Sequence, residues 1–176
     1  MKGLYDLIST YKDFPKKGID FKDVLEIIQD PNIFRELIIK MSSSEILKNT
    51  EAIISIDARG FIFGSAIAFY SSMPMITARK PGKLPGEIVE QKYHLEYGNS
   101  SLSIQKKSLE KYNSYIIVDD LLATGGTAAA ATELLRNAGG LVTRAAFVID
   151  LPELGGREKL AERSVDVSAL MNFAGA

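Results

Sequence analysis

The chain contains no cysteine, no tryptophan and one histidine, His94, among its 176 residues. Without cysteine there is no disulfide framework, no thiolate zinc or iron–sulfur site and no cysteine nucleophile. A single histidine excludes a multi-histidine metal centre, and any Ser-His-Asp arrangement would have to run through His94. Long apolar runs are also missing: none approaches the roughly 18 residues of a membrane span, and residues 1–6 lack the apolar stretch of a signal peptide. A cytoplasmic location without a membrane partner is therefore expected. Excess charge of either sign is absent too, with 21 Lys and Arg against 22 Asp and Glu. The balance gives no electrostatic reason to expect a nucleic-acid partner.

What is present describes one folded unit. The hydrophobic share of 46% and charged share of 24% are close to those of ordinary globular domains, and the length suits a single domain, residues 1–176. Pro and Gly interrupt any period before residue 30, so a short helix and an irregular arm are expected there. Ile33, Phe34, Leu37, Ile38 and Met41 recur at helical spacing behind a capping Asp30 and Pro31, which predicts a helix from 31 to about 47. Residues 52–56 form a β-branched run of buried-strand type, 61–70 an apolar helix, and 75–78 a second strand. Residues 79–87 are basic and rich in Pro and Gly, and the alternating segments 88–95 and 101–105 suggest a hairpin. The strongest strand, 115–118, is followed by two aspartates, an Ala-rich helix over 128–137 that stops at Gly139-Gly140, and a further strand over 145–149. Strand, helix and strand in repetition imply an α/β fold, with a central, mainly parallel, twisted sheet flanked by helices.

Ligands in such sheets bind beyond the carboxyl ends of the strands. There the chain offers Asp119-Asp120 and then Ala123-Thr124-Gly125-Gly126-Thr127 at a helix start. Consecutive glycines let backbone N–H groups converge, the threonines add hydroxyls, and the helix N-terminus adds a positive dipole end. This is a cradle for a phosphate monoester, with two acids placed to reach the vicinal hydroxyls of a sugar phosphate. No Gly-Lys-Ser/Thr follows and no Gly-x-Gly-x-x-Gly is present, so neither a Walker loop nor a dinucleotide fingerprint is involved.

The run from Tyr115 through Asp119-Asp120 to Thr127 resembles the phosphoribosyl pyrophosphate motif of the type I phosphoribosyltransferase family, in the form carried by its adenine-specific members. Further stretches match: Phe14-Pro15-Lys16-Lys17-Gly18-Ile19, Asp57-Ala58-Arg59-Gly60-Phe61-Ile62-Phe63-Gly64, Arg79-Lys80-Pro81-Gly82-Lys83-Leu84-Pro85-Gly86 with Leu95-Glu96-Tyr97-Gly98, and a weaker echo at Gly156-Arg157-Glu158-Lys159-Leu160. The resemblance covers nearly the whole chain. It implies the type I phosphoribosyltransferase fold, with an N-terminal hood over about residues 1–30, a flexible catalytic loop and hairpin over about 79–98, and a homodimer. The reaction it implies is purine salvage, in which adenine and 5-phosphoribosyl 1-pyrophosphate give AMP and pyrophosphate. Mg²⁺ is the implied cofactor, held mainly by pyrophosphate and ribose rather than by direct protein ligands.

By the same resemblance, Asp119 and Asp120 contact the ribose hydroxyls and favour the cationic sugar. Ala123, Thr124, Gly125, Gly126 and Thr127 wrap the 5′-phosphate. Asp57 and Ala58 belong to a pyrophosphate loop in which a cis peptide is expected, and Arg59 suits pyrophosphate or the base edge. Arg79, Lys80 and Lys83 become cations of a closing lid. Glu96, followed by Tyr97, is a candidate to manage the purine proton. Phe21 is expected to stack on the base while backbone groups of Ile19 and Asp20 read its amino edge. Asp20 and Lys22 depart from the family pattern, which has an apolar residue and an Arg there; Lys22 keeps the charge but loses the bidentate fork. Two alternatives share the phosphate cradle: an enzyme of the same class acting on hypoxanthine, guanine, xanthine or orotate, and a non-catalytic phosphoribosyl pyrophosphate sensor.

Overall fold

Ala52–Ile56 is buried at all five positions and forms β3 in the interior of a sheet. In the computed structural model, which describes residues 2–95 and 98–174, that sheet has five strands. They are β3, β4 (Met75–Ala78), β7 (Ser114–Leu122), β8 (Leu141–Asp150) and β9 (Asp166–Asn172), in the order β4-β3-β7-β8-β9 and all parallel. The two-residue period of a strand divides its side chains between two faces. Ile54, Ile56 and Ile117 enter a core with α5 (Gly126–Asn137). Ile53, Ile116 and Val118 enter the opposite core with α2 (Pro31–Met41) and α3 (Gly60–Ser71). Central strands buried on both faces need the near-continuous apolar runs that the sequence carries.

The remaining elements are α1 (Lys2–Tyr5), β1 (Ser9–Tyr11), β2 (Phe21–Asp23), the hairpin β5 (Ile88–Leu95) with β6 (Gly98–Gln105), α4 (Lys106–Leu109) and α6 (Gly156–Ala161). The hairpin is tied to the main sheet beside β4, where Arg79 and Ser103 exchange two backbone hydrogen bonds. Because the main strands are parallel, the segments after β3, β4, β7 and β8 all emerge at one end of the sheet.

Several boundaries differ from the sequence expectation. Asp30 caps α2 as expected, its carboxylate accepting from Asn32 N (2.9 Å) and Ile33 N (3.1 Å). The helix stops at Met41 instead of continuing to about 47. Three serines follow, whose side chains compete for backbone groups; Ser43 Oγ accepts from Ile46 N. Ile46 and Leu47 reach the core from turns. The arm is more regular than expected, since β1 and β2 pair antiparallel from Ser9↔Asp23 to Tyr11↔Phe21. β7 runs on through Asp119-Asp120 to Leu122, α5 starts at Gly126, and β9 has no counterpart in the sequence reading. Among the described residues no helix is long and apolar enough to cross a membrane.

Candidate active site

Three of the segments at the carboxyl end of the sheet converge on the last turn of β7. The Asp57–Ala58 peptide is cis, as expected for the loop after β3. That loop delivers Arg59, whose Nε lies 2.8 Å from Asp120 Oδ2. The next residue, Gly60, packs against Asp119: a β-carbon at Gly60 would lie 2.6 Å from Asp119 Oδ1 and 3.2 Å from both the Asp119 Cα and the Val118 carbonyl oxygen. Only a residue without a side chain permits this approach. Asp119 Oδ1 also accepts from the Asp120 N–H at 2.9 Å, and Asp120 is 4% exposed. Burial, and then the charge of Asp120, push the Asp119 carboxyl well above the ordinary carboxylate range, while the Asp120 N–H and Arg59 act in the opposite direction.

The segment expected to cradle a phosphate, residues 123–127, begins one residue beyond β7. Gly125 has φ +71°, a left-handed conformation that turns the chain into α5. Thr127 lies in the first turn of that helix, and its hydroxyl donates to the Tyr93 hydroxyl of the hairpin at 3.4 Å. On the other side of the carboxylates, Arg79 donates through Nε to Asp57 Oδ2 at 2.8 Å and through Nη1 to the Lys83 carbonyl at 3.4 Å. The arm closes the arrangement, with the Arg59 guanidinium 4.9 Å from the Phe21 ring centroid and Phe14 meeting Phe21 edge-on at 5.3 Å. Cation–aromatic contacts of this kind contribute about 0.5–2 kcal/mol. Two aromatic rings, a carboxylate pair, a cationic loop and a glycine-led helix start thus share one end of the sheet. Among the described residues no cluster of three or more His, Cys, Asp or Glu side chains forms a metal cage.

The phosphoribosyl transferase domain model matches residues 24–169. An adenine phosphoribosyltransferase of Prochlorococcus marinus is 66% identical over 157 residues, covering 89% of this chain and 92% of that protein. The chain belongs to the adenine phosphoribosyltransferase family. Solved structures agree: the crystal structure of adenine phosphoribosyltransferase from Thermoanaerobacter pseudethanolicus matches with a TM-score of 0.90 at 39% identity, covering 98% of this chain and 99% of that one. The Saccharomyces cerevisiae enzyme, complexed with an imino-altritol bisphosphate and adenine, matches with a TM-score of 0.86 at 36% identity, covering 96% and 97%.

Not every residue singled out in the sequence joins the cluster. Lys22 neighbours Phe21 on a strand and turns the other way: it is 7% exposed, its Nζ donates to Thr10 Oγ1 at 3.1 Å and stands 5.4 Å from the Phe173 ring. The Ile19 carbonyl accepts from Phe14 N within the arm, and Asp20 is half-buried. Lys80 and Lys83 are exposed. Glu96 and Tyr97 lie outside the described residues. Conversely, Tyr93 at Thr127, and Thr10 and Phe173 at Lys22, are partners that no sequence motif announces, and the echo at Gly156 gives no hint that it packs behind Gly125.

Proposed function

We propose that this chain transfers the phosphoribosyl group of 5-phosphoribosyl 1-pyrophosphate to N9 of adenine, yielding AMP and pyrophosphate in purine salvage. The observation that carries this reading is the position of Asp119-Asp120 between the Gly125-Gly126 cradle and the loop bearing Arg59 and Gly60. A sugar phosphate laid along the end of β7 places its 5′-phosphate at residues 123–127 and its C1 leaving group at residues 57–60. The bond from C1 to the pyrophosphate oxygen breaks with both electrons leaving on oxygen. N9 then supplies the pair that forms the new bond, and the purine gives up one proton, with Glu96 as the proposed acceptor. Positive charge on the sugar favours the ionised form of Asp119, against the burial that raises its carboxyl.

Arg79, Lys80 and Lys83 are proposed to neutralise the pyrophosphate as residues 79–98 close over it, a movement that excludes water. Arg79 would exchange its bond to Asp57 for one to the leaving group. Adenine is proposed to stack on Phe21, with Ile19 and Asp20 offering main-chain groups, and with Arg59 and Tyr97 at the edge of the site. Lys22 would support the base pocket from behind Phe21. Mg²⁺ fits a donor set made of hard carboxylate oxygens beside a polyphosphate, held mainly by substrate oxygens next to Asp119 and Asp120. When bound, it would neutralise charge on the leaving group. A homodimer is proposed as well, supported by the outer face of α3, where Phe69 is 90% and Tyr70 55% exposed. A cytoplasmic setting completes the reading.

The test is purified protein with Mg²⁺, phosphoribosyl pyrophosphate and one base at a time, following pyrophosphate release. Turnover with adenine is expected. Turnover of hypoxanthine, guanine, xanthine or orotate with none of adenine would overturn the assignment, and binding without pyrophosphate release would point to a sensor.

A further inference from the structure

Residues 156–160 take no part in the reaction as laid out above, yet their placement is specific. Gly156 opens α6 directly behind the phosphate cradle. A β-carbon on Gly125 would lie 2.9 Å from both the Cα and the carbonyl oxygen of Gly156, and one on Gly156 would collide with the Ala123 carbonyl oxygen and the Leu122 side chain. Cradle and helix therefore meet backbone on backbone. At Gly125 and Gly156 the two backbones are in direct contact, so a displacement of α6 passes directly to residues 123–125.

Arg157 fixes where α6 sits. Its Nε and Nη2 lie 2.9 and 2.8 Å from Asp150 Oδ2, and its Nη1 donates to the Val167 carbonyl at 2.8 Å. Asp150 is fully buried, and its second carboxylate oxygen has no hydrogen-bond partner among the described residues, so the guanidinium is the cation that compensates it. Asp150 pairs with Leu122 at the end of β7 and with Asn172 on β9. One planar fork thereby ties α6 to β8 and β9, beside the strand that ends at the cradle.

We propose that Gly156 and the Arg157–Asp150 pair are positioning residues for the substrate's 5′-phosphate: they hold residues 123–127 in the shape that binds it, without touching it. The proposal rests on the reading of that segment as the phosphate site. It is tested with Gly156→Ala, Arg157→Met and Arg157→Lys, measuring by calorimetry the affinities for ribose 5-phosphate, which engages the cradle, and for pyrophosphate and adenine, which do not, alongside circular dichroism for folding. Gly156→Ala and Arg157→Met are expected to weaken ribose 5-phosphate by about tenfold or more, since a shift near 1 Å is enough for such losses. Arg157→Lys, with charge but no fork, should fall between them and the unaltered protein. Adenine and pyrophosphate affinities should stay within about threefold. Unchanged ribose 5-phosphate affinity in folded Gly156→Ala, or equal weakening of all three ligands, overturns the proposal. If Arg157→Met does not fold, the other two variants decide. Failure of the unaltered protein to bind ribose 5-phosphate would instead sink the reading of the phosphate site itself.

Discussion

Replacing Gly60 by alanine adds one methyl group at the point where the loop after β3, proposed to face pyrophosphate, meets Asp119, proposed to hold the ribose. That methyl would stand 2.6 Å from Asp119 Oδ1, against an ordinary contact distance of 3.4 Å, an overlap of about 0.8 Å. The carboxylate cannot simply rotate aside, because the same Oδ1 accepts from the Asp120 N–H. Nor does the main chain offer room, with the Asp119 Cα and the Val118 carbonyl oxygen both at 3.2 Å. The strain should cost about 1–3 kcal/mol of folding stability. Because loop and carboxylate must move apart by a large fraction of an ångström, kcat/KM should fall by about 10²-fold. Steady-state pyrophosphate release with saturating adenine, together with thermal melting, measures both effects. A folded Gly60→Ala enzyme with kcat/KM within about threefold of the unaltered protein would refute the claim that this contact sets the geometry of the site.

Asp119→Asn and Asp120→Asn should each lower kcat by about 10²–10³-fold while the protein remains folded, as expected when charge facing the transition state is removed; undiminished turnover in the double variant would make the acids structural only. The raised carboxyl of Asp119 also sets a pH dependence. A raised acid stabilises the fold fully below its ordinary value of 3.8 and loses that contribution as pH rises through the elevated folded value. Melting curves of the unaltered protein and Asp119→Asn should therefore diverge in favour of the variant as pH rises from 3.8 toward neutrality; a gap independent of pH would contradict the assigned shift. Phe21→Ala should raise KM for adenine by about tenfold, the worth of a stacked base at roughly 1–3 kcal/mol, with KM for phosphoribosyl pyrophosphate little altered. Chelation by EDTA should abolish turnover and added Mg²⁺ restore it; activity persisting in EDTA would remove the metal from the reaction.

The local parts of this fold are written in local patterns. Residues 52–56 carry three isoleucines and are buried on both faces, and the Asp30-Pro31 start of α2 is a cap that acts within one turn. The glycine-led turn into α5 is equally readable, because Gly125 adopts the conformation for which glycine is suited. What the sequence conceals is set by distant contacts. The apolar period at Ile46 and Leu47 mimics a continued helix, yet three serines end it and the two side chains pack from turns. Lys22 is placed beside the base by the family resemblance alone, and its contacts with Thr10 and Phe173, set by the alternation of a strand, are not legible in the sequence. Gly156 and Arg157 owe their position to Ala123, Asp150 and Val167, none of which lies within one helical turn of them.

The parallel sheet also gives the molecule two unequal poles. The segments entering β3, β4, β7, β8 and β9 all lie at the end away from Asp119, and residues 48–49 and 136–139 there are exposed. A fluorophore, affinity handle or surface tether attached at that pole leaves the proposed substrate entrance open and the residues 79–87 segment unhindered. The same attachment at the opposite pole would compete with the substrates for space.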